Sequence, residues 1–168
     1  LKYGVDLILN AGVAGCATDL PTGSLVVASE FVQHDVDTTA VGDPIGLVST
    51  VNQVVFPTWQ PERCVSLLKE QGVSAVTGRI ATGDWFAVKG SRAEWIRDTF
   101  SPLLVEMEGG AIAQVCLRNG VRFVSVKSVS DHLFSEKQAE EYFDFGQALD
   151  ALGRVVLPLA QSLAQEFC

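Results

Sequence analysis

The chain has 168 residues, 48% of them hydrophobic and 19% charged, enough apolar material for one globular core and too little charge for a disordered chain. Twelve basic against twenty acidic side chains leave a net charge of −8, which repels a phosphate backbone and argues against a nucleic-acid partner. No apolar run approaches the ~20 residues that cross a bilayer, and the amino end has no basic segment leading into an apolar stretch, so neither a membrane partner nor a leader is expected. The four cysteines, Cys16, Cys64, Cys116 and Cys168, are widely spaced with no CxxC, so no zinc site or disulfide framework is read, and a reducing, cytoplasmic setting is expected.

In chain order, Val5–Asn10 reads as a buried strand stopping in a tight turn at Ala11-Gly12-Val13-Ala14-Gly15. Residues 24–29 read as a second strand, and 31–59 as loops and excursions. Residues 61–71 form a helix with Cys64, Leu67 and Leu68 on one face and Gly72 as its stop. A strand over 73–81 ends at Thr82-Gly83-Asp84. Ser91, with Glu94 three residues on, opens a helix to Phe100. The apolar run Leu103-Leu104-Val105 enters a helix over 108–119, stopped by Gly120. A strand over 123–129 ends in Ser130-Asp131, and a long helix from about Gln138 to Phe167, apolar at Phe145, Leu149, Leu152, Val156 and Leu159, is kinked by Pro158. Alternating strands and helices define an α/β protein, whose ligand site belongs at the carboxyl ends of strands.

Those ends carry the chemistry-bearing residues. The turn at Gly12–Gly15 is either a cradle for ribose or phosphate or a plain glycine turn. It lacks the third glycine of a dinucleotide fingerprint and the Gly-Lys-Ser/Thr of a P-loop. Val105-Glu106-Met107-Glu108 sets two carboxylates at a helix start, where a carboxylate is either a partner of the helix dipole or, with the small residues that follow, a ligand group. Asp131 is either an N-cap or a desolvated general acid. Trp85 and Phe86 offer faces to a flat base or belong to the core. His34 and His132 stand in no metal-ligand spacing, so no metal or other cofactor is expected, and the absence of Gly-x-Ser-x-Gly disfavours acyl chemistry.

Taken in order, Leu9–Gly15, His34-Asp35-Val36-Asp37, Thr82–Phe86, Val105–Glu108 and Val129-Ser130-Asp131 resemble the purine nucleoside phosphorylase and nucleosidase superfamily, in particular its 5'-methylthioadenosine/S-adenosylhomocysteine nucleosidase branch. The resemblance runs along essentially the whole chain. It implies a three-layer sandwich with a central mixed β-sheet flanked by helices, residues 1–168 being one domain equivalent to the C-terminal majority of the family's, with an N-terminal part missing. It also implies a homodimer that hydrolyses the N-ribosidic bond of a 5'-modified purine nucleoside.

In that role Asp131 resembles the acid that protonates purine N7, with Ser130 orienting it. Glu108 resembles the ribose clamp, Met107 packs on the sugar, Phe86 stacks on the base and the Ala87 backbone reads its edge. Glu106, Val13 and Gly15 complete the substrate-binding set, and Thr38 and Val41 correspond to a 5'-substituent pocket partly supplied by the neighbouring subunit. The chain departs from the pattern at Val13, where nucleosidases have serine, at Lys127, where they have arginine, and in the water-activating glutamate, which would precede Leu1. Asn10 and Ala11 stand where phosphorolytic relatives hold phosphate with arginine, so hydrolysis is expected over phosphorolysis. Thr38 and Val41, smaller than the family's apolar residues, point to a bulkier 5' group, as in futalosine hydrolases. A non-catalytic nucleoside-binding protein is the reading from another class.

Overall fold

The computed structural model describes residues 2–134 and 145–167. Six strands and four helices follow one another as β1 (Leu7–Cys16), β2 (Leu25–Gln33), β3 (Val55–Pro57), α1 (Pro61–Glu70), β4 (Ala75–Thr82), α2 (Ser91–Phe100), β5 (Leu104–Glu106), α3 (Gly109–Asn119), β6 (Arg122–His132) and α4 (Phe145–Gln165). The mixed sheet has the order β3-β2-β4-β5-β1-β6. β2, β4 and β5 run parallel to one another, β1 and β6 run parallel to each other, and the two sets meet antiparallel at β1–β5. A further antiparallel pairing of β6 with β2 curls the sheet back on itself. The α/β class and the mixed sheet are thus as expected.

Alternating side chains of these strands feed three apolar clusters. One, facing α3, holds Ala14, Phe31, Leu104, Ala113 and Phe123, with the rings of Phe31 and Phe123 5.7 Å apart. A second, under α1 and α4, gathers Leu25, Val27, Leu68, Val126, Leu152 and Leu159. The third, under α2, contains Val32, Ala81, Ile96, Val105 and Leu133.

Several boundaries differ from the sequence reading, each for a tertiary reason. Ala11–Gly15 is not a turn: β1 continues to Cys16, because every residue from Leu7 finds a partner on β6. β2 runs on through Phe31–Gln33 and β3 adds to its edge, so part of the expected loop region is sheet. Ser91 is the first residue of α2 but does not cap it, since Gly90 holds the N-cap position and no side-chain bond is made there. On α4 the inward face is Ala148, Leu152, Val155, Leu159 and Leu163, while Phe145 and Leu149 are exposed. Pro158 lies within that helix, and the expected helical start at Gln138 falls outside the described residues. Cys16, Cys64 and Cys116 are buried free thiols; Cys168 also lies outside the described residues.

Leu159 is completely buried between α4 and the sheet. Leu159→Ala is expected to cost about 2–5 kcal/mol, the range for a leucine cavity in a packed core, read as a lower urea midpoint without a change of slope.

Candidate active site

The site forms where β5, β1 and β6 lie side by side. Gly15 is in register with Val105 on one side and Asp131 on the other, so the three share one row across the sheet. Two strand spacings, about 10 Å, separate the backbones of Val105 and Asp131. A β-bulge makes the row possible. Ala14 pairs with Val129 and the next residue, Gly15, pairs with Asp131, so Ser130 is skipped in the ladder. The Ser130 hydroxyl donates to Asp131 Oδ1 at 2.7 Å and lies 3.3 Å from the Ala14 carbonyl oxygen. A methyl group on Gly15 would fall 3.1 Å from Asp131 Oδ2 and 2.5 Å from Leu133 Cδ1, so the glycine is what admits the acid here. Burial pushes the Asp131 carboxyl above the ordinary aspartate range, opposed by the Ser130 bond and by His132.

Beside this row the two glutamates divide. Glu106, at the end of β5, is buried, and its carboxylate accepts the N–H groups of Gly109 (2.8 and 2.9 Å) and Glu108 (3.2 Å) at the start of α3. It also accepts the Thr82 hydroxyl and pairs with Lys127 Nζ at 2.8 Å, the ammonium being as deeply buried as the carboxylate. Glu108 is the N-cap residue of α3, makes no cap bond through its side chain and is exposed. Thr82 Oγ1 in turn accepts Gly110 N–H at 2.9 Å.

The segment after β4 supplies the third wall. Trp85 and Ala87 pack against the α2 cluster, whereas Phe86 is 55% exposed. Trp85 is thus half-buried against the core, with the Arg92 guanidinium 4.5 Å over its ring, and Phe86 is the aromatic face turned outward. This segment is anchored to the end of β2: Asp84 N–H donates to Asp35 at 2.7 Å, and the His34 ring sits edge-on to Trp85, tight against Gly83. His34 is buried with neither ring nitrogen hydrogen-bonded, and burial lowers its imidazole below the ordinary histidine range, Asp35 partly opposing.

The structure thus draws Asp131, Ser130, Gly15, Glu106, Met107 and Glu108 to neighbouring strand ends. Val13 is placed differently. Its side chain joins the α1–α4 cluster on the other face of β1, because strand alternation sends Gly12 and Ala14, not Val13, toward the Glu106 side. Thr38 is half-buried with its hydroxyl unpartnered, and Val41, in a 3-10 turn over Thr39–Val41, is 80% exposed. Sequence reading passed over Thr82 and His34 as site-building residues and treated Lys127 only as a departure from a pattern. No sequence spacing links these three to Glu106; strand register does. Among the described residues no group of three or more His, Cys, Asp or Glu is placed to hold a metal ion, and no helix is long and apolar enough to cross a membrane.

A mixed sheet of this order, with a carboxyl on the bulged end of β6 and a carboxylate pair before α3, defines an α/β protein with its candidate site at neighbouring strand ends, and the comparisons give it a family. Residues 1–161 match the phosphorylase superfamily, and the chain belongs to that superfamily. It is 39% identical over 137 residues to a 5'-methylthioadenosine/S-adenosylhomocysteine nucleosidase of Shewanella halifaxensis, an alignment covering 78% of this chain and 59% of the relative. The chain therefore spans about three-fifths of that relative's length. A Helicobacter pylori nucleosidase of the same name, solved with butyl-thio-DADMe-Immucillin-A, superposes with a TM-score of 0.82 at 32% identity, covering 99% of this chain and 71% of that one. A futalosine hydrolase mutant from Helicobacter pylori superposes with a TM-score of 0.85 at 30% identity, covering 96% and 71%.

The raised Asp131 carboxyl has a consequence for stability. The folded protein holds this proton more tightly than the unfolded chain, so the contribution of Asp131 is fully present below the ordinary aspartate range and is lost as pH rises through the unfolded and then the folded value. Asp131→Asn is expected to remove that decline and to raise Tm relative to the wild type at pH 7, measured by melting curves across the acid range.

Proposed function

We propose that the full-length protein hydrolyses the N-ribosidic bond of a 5'-modified purine nucleoside and releases the free base. Residues 1–168 are read as one nucleosidase-like domain. The observation that carries this reading is the row Val105–Gly15–Asp131, which sets a desolvated acid two strands from β5 and the Glu106–Glu108 pair at the start of α3. A purine leaves slowly as an anion and readily when protonated. Asp131 gives its proton to N7, the C1'–N9 bond breaks with its electron pair going to the base, and water adds to C1' and releases a proton to solvent, from which Asp131 is reprotonated. Glu108, exposed and free of capping duty, binds the ribose hydroxyls and favours the positive charge that builds on the sugar. Met107, 38% exposed beside it, packs on the ribose, and Phe86 stacks on the base with the Ala87 backbone at its edge. Ser130 keeps the acid oriented.

The names of the similar proteins favour hydrolysis over phosphorolysis, as does Asn10, whose Oδ1 accepts the Ser125 hydroxyl at 3.0 Å where a phosphate-holding arginine would be needed. A homodimer fits the exposure of Val41 at the rim, a side chain that a neighbouring subunit would cover while completing the 5' pocket with Thr38. The second reading, a futalosine-type hydrolase, is supported by a superposition on such an enzyme comparable to that on the nucleosidases, with TM-scores of 0.85 and 0.82.

The test is release of free base from 5'-methylthioadenosine, S-adenosylhomocysteine and futalosine by the full-length protein, with and without phosphate. Base release that does not depend on phosphate is expected, and no release from any of the three defeats the proposal. Asp131→Asn should lower kcat by about 10²–10⁴-fold, the usual contribution of a general acid, with the fold retained. The wild-type rate should fall as pH climbs past the raised value of Asp131, since only the protonated carboxyl donates.

A further inference from the structure

We propose that Lys127 is a positioning residue for the sugar-binding end of the site, acting through Glu106 to fix the first turn of α3 and thereby the bearing of Glu108. The inference deepens the nucleosidase reading and rests on it for the role of Glu108.

A helix start leaves up to four N–H groups without partners, and the common remedy is a cap by the side chain of the N-cap residue itself. In α3 that residue is Glu108, whose side chain makes no cap bond. The duty is taken from below: Glu106 receives the N–H groups of Glu108 and Gly109, and Thr82, itself bonded to Glu106, receives that of Gly110. The two glutamates have thereby separated into a buried anchor and a free ligand group. Gly109 and Gly110 make this close approach possible, since methyl groups there would run into Phe31 and Thr82.

A carboxylate this deeply buried needs a counter-charge, because hydrogen bonds alone leave much of its desolvation uncompensated. Lys127 supplies it from β6, two strands away from β5. Its side chain crosses β1 at Gly12, where a methyl group would come within 3.2 Å of Nζ. Of the other charged or titratable groups around Glu106, His34 faces it from the end of β2 with its imidazole lowered by burial, and the Glu108 carboxylate is turned out to solvent. Lys127 is thus the cation that holds Glu106 in place, and through it the backbone that carries Glu108.

The competing interpretation is an ordinary core ion pair whose loss weakens the whole protein evenly. Lys127→Met and Lys127→Arg in the full-length protein separate the two, read by amide hydrogen exchange and by kcat and KM for base release from 5'-methylthioadenosine. Loss of a hydrogen bond to a buried charge predicts that in Lys127→Met the Gly109 and Gly110 amides exchange about tenfold faster or more, while those of Val124 in β6 change far less. kcat should drop by a similar factor with KM changed less, because the sugar contact strengthens as positive charge develops. Lys127→Arg should recover most of both losses. If Lys127→Met does not fold, Lys127→Met/Glu106→Gln, which leaves no uncompensated charge, is read in its place with the same expectation. Wild-type exchange at Gly109 together with a wild-type kcat in a folded variant would overturn the proposal, and so would equal acceleration at Gly109 and Val124. A wild-type protein without base release would sink the nucleosidase reading instead, leaving the exchange comparison to decide whether Lys127 fixes the helix start.

Discussion

The buried carboxylate of Glu106 is the junction on which the site depends. Four elements meet at it: β5 carries it, β4 offers the Thr82 hydroxyl, β6 sends Lys127 across, and α3 begins on it. Each partner satisfies a need that would otherwise be costly, the ammonium its charge and the helix its unpaired N–H groups. The arrangement leaves the Glu108 side chain exposed at the start of α3 with no capping bond to make.

The acid on the other side of the site depends on a different device. A regular ladder would pair Gly15 with Ser130; the bulge inserts one residue and brings Asp131 opposite Gly15 instead. One skipped residue therefore decides that a carboxyl, and not a hydroxyl, faces the small space that glycine leaves. The hydroxyl of Ser130 is then free to bond the acid, and partial burial keeps the acid inclined to hold its proton.

The aromatic wall shows the same division between support and function. His34, Asp35 and Trp85 pin the segment after β4 to the end of β2, while the Phe86 ring faces outward. Two aromatic residues adjacent in sequence thus have opposite fates, because the Trp85 indole finds the α2 cluster and the Arg92 guanidinium while its neighbour points the other way.

The strands β1, β2, β4 and β6, the helix over Pro61–Glu70, the helix after Glu108 and the carboxyl at the end of β6 were legible in the chain, because apolar period, glycine stops and charge at strand ends are local properties, whereas β3 and β5, three residues each, exist only through their pairing with neighbouring strands. The family resemblance was legible too, carried by short motifs in a fixed order. The glycine-rich segment at Gly12–Gly15 misled, since glycines are read as turns when what they provide here is room for Lys127 and Asp131 to lie against a strand. Which of Glu106 and Glu108 is buried, that Lys127 pairs with Glu106, and that Val13 faces away from the site were settled by register between segments up to 116 residues apart. A sequence specifies which groups are available; pairing across the sheet determines which of them share a space, because burial and counter-charge exist only once distant strands have met.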